Sequence, residues 1–153
     1  MTGHPPHATL SDPMNTHDDA TVQQSFTRAV ETRTHAYTPY SHYQVGAAVR
    51  VSDTGETISA CNVENVSYGA TVCAERNAIF AVVARYGTVN IDHLVLVTDD
   101  DPPAVPCALC LQVLQEFCPQ NLPIHLATLE GIQETVTLGE LLPHPFKEFH
   151  EHS

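Results

Sequence analysis

The sequence predicts an α/β fold built on a sheet that is at least partly parallel. Apolar, β-branched runs at residues 45–51 and 91–98 are typical of buried strands. An apolar stripe of helical period between Val72 and Tyr86 is typical of a helix packed on such a sheet. Strands and helices alternate in the second half of the chain, which indicates crossover connections and hence parallel strands.

The first half of the chain is expected to form a helix and a hairpin. The helix should begin at Thr21, because the sequence TVQQ that starts there has the form of a capping box. It should stop at Thr38, because Pro39 disfavours helical geometry in the residue before it. Strands at 45–51 and 57–62 flank the turn sequence DTGE and are predicted to pair as a hairpin.

The second half is expected to alternate between helices and strands. Gly87 ends one helix and Pro119 closes another, since the first residue favours a helix C-cap and the second cannot continue a helix. The predicted elements are a helix at 72–86, a strand at 91–98, a helix at 107–118, strands at 124–127 and 135–138, and a helical turn at 139–142.

Length and polarity predict one domain between two tails. The chain has 153 residues, and residues 1–20 and 147–153 are polar without an apolar period. We therefore expect a disordered N-terminal tail, a domain at 21–146 and a short C-terminal tail. No apolar run reaches the roughly 18 residues that a membrane helix needs, and the first twenty residues lack the apolar stretch of a signal peptide.

The charge argues against long nucleic acids as partners. Six Lys and Arg against 18 Asp and Glu give a formal net charge of −12. Proteins that bind polynucleotide backbones usually present a basic face, because phosphate contacts supply most of the non-specific affinity.

The cysteines predict a metal site. Their odd number, five, and the motif C-x-x-C argue against a disulfide scaffold and favour a reducing cytoplasm. Cys107 and Cys110 open one predicted helix, and Cys73 opens another. Three thiolates plus a water are the layout of a catalytic zinc. Glu75 can lie close to that water if the ion lies off the helix end. A structural zinc site, completed by Cys61, Cys118 or a histidine, is the alternative.

Five segments extend this pattern into a family resemblance. Three cysteines with a nearby Glu and P-C-x-x-C are the signature of zinc deaminases that act on cytosine or adenine. The segments are PYSHYQVGAA (39–48), CNVENVSYG (61–69), CAERNAIF (73–80), PCALCLQVLQEF (106–117) and ELLPHPF (140–146). In this order, over residues 22–146, they closely resemble the small cytidine deaminases.

The resemblance implies a fold and a reaction. The fold would have three α/β/α layers, with a mixed sheet of about five strands and helices on both faces. Cys73, Cys107 and Cys110 would hold one Zn²⁺ per chain, and Glu75 would be the catalytic proton shuttle. Hydroxide on the metal would attack C4 of free cytidine or 2′-deoxycytidine, giving uridine or 2′-deoxyuridine in pyrimidine salvage.

The resemblance also implies substrate contacts and an assembly. Asn62 and Glu64 would hydrogen-bond the ribose hydroxyls, and Tyr43 stands where the family usually has a Phe lining the pyrimidine pocket. Tyr68 and Phe146 match residues that one subunit lends to a neighbour. The expected assembly is a homotetramer with shared active sites.

The charge at the metal predicts a role for Arg76, and the motif near the metal departs from the family at two positions. Three thiolates leave Zn²⁺ with a net negative charge, which helix N-termini and Arg76 would offset. The family motif P-C-G-x-C-R-Q has Ala108 in place of Gly and Leu111 in place of Arg here. Ala108 costs nothing if its dihedrals are helical, and Leu111 removes a cation near the metal.

Two other functions stay open from the sequence. A deaminase for a related base, such as blasticidin S, is the nearer one. A catalytically silent zinc-binding interaction protein belongs to a different class. Conversion of cytidine, followed by its ultraviolet absorbance, discriminates among the three.

Overall fold

The computed structural model describes residues 20–147 and shows a five-stranded sheet between helices. The elements in chain order are α1 (Ala20–Arg33), β1 (Gly46–Val51), β2 (Thr57–Cys61), a 3₁₀ turn (Tyr68–Ala70), α2 (Ala74–Tyr86), β3 (Ile91–Val97), α3 (Ala108–Phe117), β4 (Pro123–Thr128), β5 (Gly131–Thr137) and α4 (Leu138–Leu141). The predicted α/β fold is confirmed.

The sheet is mixed, with the strand order β2-β1-β3-β4-β5. β3 and β4 run parallel and are joined through α3, while the other neighbouring pairs are antiparallel. Gly46 pairs with Cys61 on one side and with Val97 on the other. The start of β1 and the ends of β2 and β3 therefore lie side by side at the same end of the sheet.

Side chains from the two faces of the sheet fill two cores. Because successive residues of a strand point to opposite faces, Ala47 and Val49 join the larger core and Ala48 joins the smaller one. Residues of α2, α3 and α4 complete the larger core, and residues of α1 complete the smaller one. The predicted three-layer arrangement, with helices on both faces, is confirmed.

Buried polar side chains link the sheet to α1. His93 and His125 lie on neighbouring strands with their rings edge to face, 5.4 Å apart. Ser25 Oγ of α1 lies 2.8 Å from His93 Nε2, and Thr135 Oγ1 lies 2.8 Å from His125 Nδ1. These hydrogen bonds satisfy polar groups that would otherwise be costly to bury.

The first helix is shorter than its apolar pattern predicts. α1 ends at Arg33 rather than at Thr38. Tyr37 leaves the helix because its backbone pairs with another segment: its amide donates to Asn62 O at 3.2 Å, and its carbonyl accepts from Glu64 N at 2.8 Å. Tertiary pairing here overrides local propensity.

The capping box lies elsewhere in the chain. Thr21 is inside α1, so the prediction that it caps this helix was wrong. Thr137 and Glu140 form a capping box at α4, in which the Thr137 hydroxyl accepts from Glu140 N and the Glu140 carboxylate accepts from Thr137 N. The short helix that the sequence predicted at 139–142 spans Leu138–Leu141.

The predicted tails lie outside the described residues, apart from Ala20, the first residue of α1, and Lys147. Within residues 20–147, no helix has both the length and the apolar character needed to cross a bilayer.

α1 packs tightly against β1 at Gly46. A Cβ there would lie 2.1 Å from Ala29 O and 2.8 Å from Arg33 Cβ. We expect Gly46→Ala to lower the free energy of unfolding by about 1–3 kcal/mol or more, because backbone atoms have to move. Denaturant unfolding measures the change. Gly69→Ala is the matched control, since a Cβ there meets nothing within 4 Å. Equal stability of the two variants would contradict this packing.

Candidate metal centre and substrate pocket

Two helices begin next to each other and bring three thiols together. Cys73 is the N-cap of α2 and Cys107 is the N-cap of α3, both with extended backbone, and Cys110 lies in the first turn of α3. Cys73 Sγ lies 3.9 Å from Cys107 Sγ, which lies 3.5 Å from Cys110 Sγ. The three sulfurs are all within 4.8 Å of one another.

This spacing fits zinc. Thiolates about 2.3 Å from a tetrahedral zinc lie about 3.8 Å apart, close to the observed separations. Within residues 20–147, this is the only group of three or more such ligand side chains, and neither Cys61 nor Cys118 joins it. The described residues therefore leave the fourth position of a tetrahedral ion without a protein ligand, as in catalytic sites.

The pKa values of two of the three thiols shift in opposite directions. A hydrogen bond from the Cys110 thiol, together with Arg76, lowers the pKa of Cys73 to about 5. The same pairing with Cys73 raises the pKa of Cys110. One thiolate forms readily and opposes the ionisation of its neighbour, so a cation is needed before the cluster can carry its full negative charge.

Arg76 places a positive charge against the thiols. Its Nη2 lies 3.9 Å from Cys73 Sγ and donates to Thr71 O at 3.2 Å. The guanidinium also interacts electrostatically with Cys110. Its Nε is buried and has no hydrogen-bond partner among the described residues. This position suits charge compensation, the role that the sequence predicted for Arg76.

Glu75 is buried beside the cluster. Glu75 is only 4% exposed, although it lies in the first turn of α2. Burial is the largest cause that raises the pKa of Glu75 to about 7, and the neighbouring Cys73 thiolate adds to it. The Cys110 thiol hydrogen-bonds the carboxylate. A carboxyl group thus stands where the N-termini of two helices meet.

A cavity of about 190 Å³ opens beside the thiols and Glu75. It lies beyond the carboxyl end of β3, a common location for ligands in α/β folds. Its lining consists of Tyr43, Val45, Asn62, Thr71, Cys73, Glu75, Leu96, Thr98, Ala104, Val105 and Cys107. An outer groove of about 360 Å³ shares Thr71 with the cavity and is otherwise lined by Tyr40, Ser41, Glu64 and Tyr68.

Asn62 joins two backbone segments at the edge of the cavity. Its Oδ1 accepts from Val45 N and its Nδ2 donates to Tyr43 O, both at 2.8 Å. Because an amide has two N–H groups and two acceptor lone pairs, one of each stays available to a ligand. The side chain of Asn62 thus has a structural role, and its contact with ribose stays a prediction.

Glu64 lies in the outer groove, in a fixed orientation. Its carboxylate accepts from Tyr40 N at 2.9 Å, from Ser41 N at 3.2 Å and from the Ser41 hydroxyl. The Ser41 hydroxyl, above all, holds the pKa of Glu64 below its usual value. An ionised, oriented carboxylate can accept hydrogen bonds from a diol, the role that the sequence predicted for it.

Tyr43 lines the cavity with its side chain and donates a hydrogen bond from its hydroxyl to Asp100. Burial and, after it, this hydrogen bond raise the pKa of Tyr43 to about 12. The phenol therefore stays protonated at neutral pH.

Two predicted substrate contacts lie outside the inner cavity of this single chain. Tyr68 is 76% exposed and packs edge to face on Tyr40, at a ring separation of 6.0 Å. Phe146 is 59% exposed, and its backbone exchanges two hydrogen bonds with the side chain of Gln112, at 2.7 and 3.2 Å. Their intersubunit role stays a prediction.

The structure accounts for both departures from the family motif. Ala108 is the first residue of α3, so its backbone is helical and Ala replaces Gly without conformational cost. Leu111 is buried in the larger core together with Leu114. An apolar side chain at position 111 therefore contributes to packing, and the cationic neighbour that the described site retains is Arg76.

Comparison with known proteins settles the family. A family model described as the cytidine and deoxycytidylate deaminase zinc-binding region matches residues 19–126. The chain belongs to this family. A cytidine deaminase from Halalkalibacterium halodurans is 40% identical over 124 residues, which are 81% of this chain and 92% of the relative. A blasticidin-S deaminase from Bacillus cereus is 32% identical over 123 residues, 75% of this chain and 84% of the relative.

Solved structures agree with the sequence comparison. The crystal structure of cytidine deaminase from Burkholderia pseudomallei has a TM-score of 0.77 and 35% identity to this chain, and covers 81% of this chain and 98% of its own. This cytidine deaminase family member is therefore an enzyme, a hydrolase whose zinc-binding deaminase domain contains a cluster of three cysteines.

Sequence reasoning missed part of the deaminase pocket. Thr71, Leu96, Thr98, Ala104 and Val105 line the cavity but carry no distinctive chemistry. Thr71 lies two residues before Cys73, Leu96 and Thr98 precede the loop that leads to Pro106, and Ala104 and Val105 lie in that loop. Proximity to the ligand motifs was the only signal available for them.

The metal site yields a direct prediction. We expect Cys107→Ser to weaken zinc binding at least about 10-fold, because a serine hydroxyl does not ionise as a thiol does. Loss of a group that only hydrogen-bonds a metal ligand already lowers metal affinity by about this factor. Metal content after dialysis, measured by mass spectrometry, reports the loss. Cys61→Ser is the control, since that thiol lies outside the cluster. Full zinc retention by the Cys107 variant would remove this thiol from the ligand set.

Proposed function

We propose that the protein deaminates free cytidine and 2′-deoxycytidine by hydrolysis. Water adds at C4, the exocyclic amino group leaves as ammonia, and the products are uridine and 2′-deoxyuridine. The observation that carries this proposal is the buried carboxyl of Glu75 beside three convergent thiols, at the end of a cavity. A structural zinc site has no need of such a carboxyl.

Each residue of the site has a distinct task. Cys73, Cys107 and Cys110 hold one zinc per chain, which supplies a Lewis acid that activates water when bound. Glu75 accepts a proton from the attacking water and donates it to N3, and it then takes the remaining proton from the hydroxyl added at C4 and passes it to the leaving amino group. Arg76 and two helix N-termini offset the negative charge of the thiolates. Because Glu75 is buried, its proton passes to the substrate rather than to bulk solvent.

The outer groove supports a nucleoside as the substrate. Its lining contains the carboxylate of Glu64 and no Lys or Arg, so it favours uncharged hydroxyls over a phosphate. Glu64 would accept hydrogen bonds from the sugar hydroxyls, Asn62 would donate to them or accept from them, and Tyr43 would pack against the pyrimidine. Blasticidin S is the second candidate substrate, and the relative from Bacillus cereus named for that activity favours it.

We further propose a homotetramer in which subunits share active sites. Within the described residues, Tyr68 and Phe146 expose aromatic rings, and an apolar groove of about 370 Å³ runs beside α2 and α3 with Phe80 and Leu109 exposed along it. Exposed apolar patches of this kind mark interaction sites. The inner cavity, at about 190 Å³, is smaller than typical ligand pockets, which fits a site that a neighbouring subunit completes.

The cellular role follows from the reaction. Conversion of free nucleosides suits pyrimidine salvage. The five cysteines are free thiols, which suits the reducing cytoplasm.

Activity and its dependence on Glu75 test the proposal together. We expect the ultraviolet absorbance of cytidine and deoxycytidine to fall on conversion, and cytosine and a short RNA to stay unchanged. Glu75→Gln keeps the side-chain size but removes the proton shuttle, so turnover should fall at least ~10²-fold while zinc stays bound.

Two results would overturn this assignment. Near-normal turnover by Glu75→Gln would exclude Glu75 as the shuttle, and conversion of blasticidin S but not of cytidine would replace the substrate. Glu130→Gln is the matched control, because Glu130 lies exposed in the connection between β4 and β5.

Mixing of variants tests the shared sites. If Phe146 serves a neighbouring subunit, Phe146→Ala and Glu75→Gln chains are each impaired alone but restore part of the activity when they are assembled together. Some sites then combine an intact Glu75 with a neighbour's intact Phe146. Size-exclusion chromatography should place the activity near four chain masses. A fully active monomer, or mixtures without recovery, would contradict the shared-site tetramer.

A further inference from the structure

The loop between β3 and α3 forms one wall of the inner cavity. This segment, residues 99–106, carries Ala104 and Val105, which line the cavity next to Cys107. A displacement of the loop therefore changes the width of the cavity directly. The contacts that hold the loop in place determine how well the pocket is formed before substrate arrives.

Side chains outside the loop hold it at three points. Ala104 N donates to Thr98 Oγ1 at 3.2 Å, close to where β3 ends. Asp99 lies 3.8 Å from Arg33, but its carboxylate is largely exposed and such a pair contributes little. The hydroxyl of Tyr43 donates to Oδ2 of Asp100.

Tyr43 and Thr98 both line the cavity, but Thr98 directly precedes the loop, whereas Tyr43 lies 57 residues before Asp100 and joins a distant segment to the loop. The side chain of Tyr43 forms part of the wall, and its hydroxyl reaches the loop that forms another part. The Thr98 hydroxyl also hydrogen-bonds the phenol. A single side chain therefore connects two walls of the pocket, and a Phe at this position retains only the ring.

We propose that the hydroxyl of Tyr43, acting through Asp100, is a positioning contact that holds the 99–106 loop against the cavity and thereby strengthens substrate binding. The inference rests on the proposed function, because it concerns the pocket of that reaction. Tyr43 has two separable parts: the ring contacts the substrate, and the hydroxyl fixes the loop.

Tyr43→Phe isolates the hydroxyl. The variant keeps the ring and loses the hydrogen bonds of the hydroxyl with Asp100 and Thr98, so KM for cytidine should rise about 2- to 10-fold, with a smaller change in kcat. Bound zinc should be unchanged. The backbone amides of residues 99–101, 104 and 105 should exchange with deuterium faster than in the parent protein, because the loop opens more often. A residue that only stabilises the fold would lower the melting temperature without this local change in exchange.

Variants at Asp100 test the partnership. Asp100→Ala should reproduce most of the rise in KM, and the double variant should bind no more weakly than Tyr43→Phe alone, because Tyr43→Phe already lacks the contact with Asp100. Asp100→Asn keeps an oxygen acceptor and should retain most of the affinity. Asp101→Ala is the matched control, since it removes the next carboxylate of the same loop.

The outcomes separate this inference from the proposed function. Unchanged KM and unchanged amide exchange in Tyr43→Phe, or additive effects of Tyr43→Phe and Asp100→Ala, would overturn the positioning role. A parent protein that does not convert cytidine would overturn the proposed substrate. In that case amide exchange still decides the inference, because faster exchange of the loop amides supports the contact and unchanged exchange refutes it.

Discussion

The structure depends on the convergence of negative sulfur and positive helix ends at one point. Cys73 and Cys107 each occupy the N-cap of a helix, where unpaired backbone N–H groups favour an anion. Three thiols within 4.8 Å cannot all ionise without a cation, and the helix ends supply only part of the charge. Arg76 supplies more, and a bound metal ion would supply the rest. The placement of α2 and α3 on the same face of the sheet is therefore a condition of the chemistry.

Backbone pairing beyond the ends of the strands connects the pocket to the cluster of thiols. Val63 bridges Tyr37 on one side and Val72 on the other, so the segment that bears Asn62 and Glu64 is fixed to the residue just before the first metal ligand. Asn77 of α2 adds a hydrogen bond to Cys61 O at 2.9 Å. The segment that bears Asn62 and Glu64 and the segment that bears Cys73 are thus connected through hydrogen bonds of the backbone, which fixes their separation.

Periodicity and motif spacing predicted most of the fold and the chemical centre. The five strands, the second and third helices and the cluster of three cysteines follow from local signals. A period of two or 3.6 residues indicates a strand or a helix, and a C-x-x-C at a helix start brings two thiols together. The end of α1 was wrong because Tyr37 pairs with a segment 25 residues away, which no local pattern records. The second role of Asn62 and the bond from Tyr43 to Asp100 depend equally on distant partners.

The double use of Asn62 restricts how this deaminase can diversify. One amide both joins Tyr43 to Val45 and borders the pocket, so replacing it removes an internal support together with any ligand contact. Selection for a different sugar or base acts more freely on Glu64, whose exposed carboxylate stabilises only a surface turn. Evolutionary change in specificity should therefore accumulate at the outer rim of the pocket, while its inner rim stays constant.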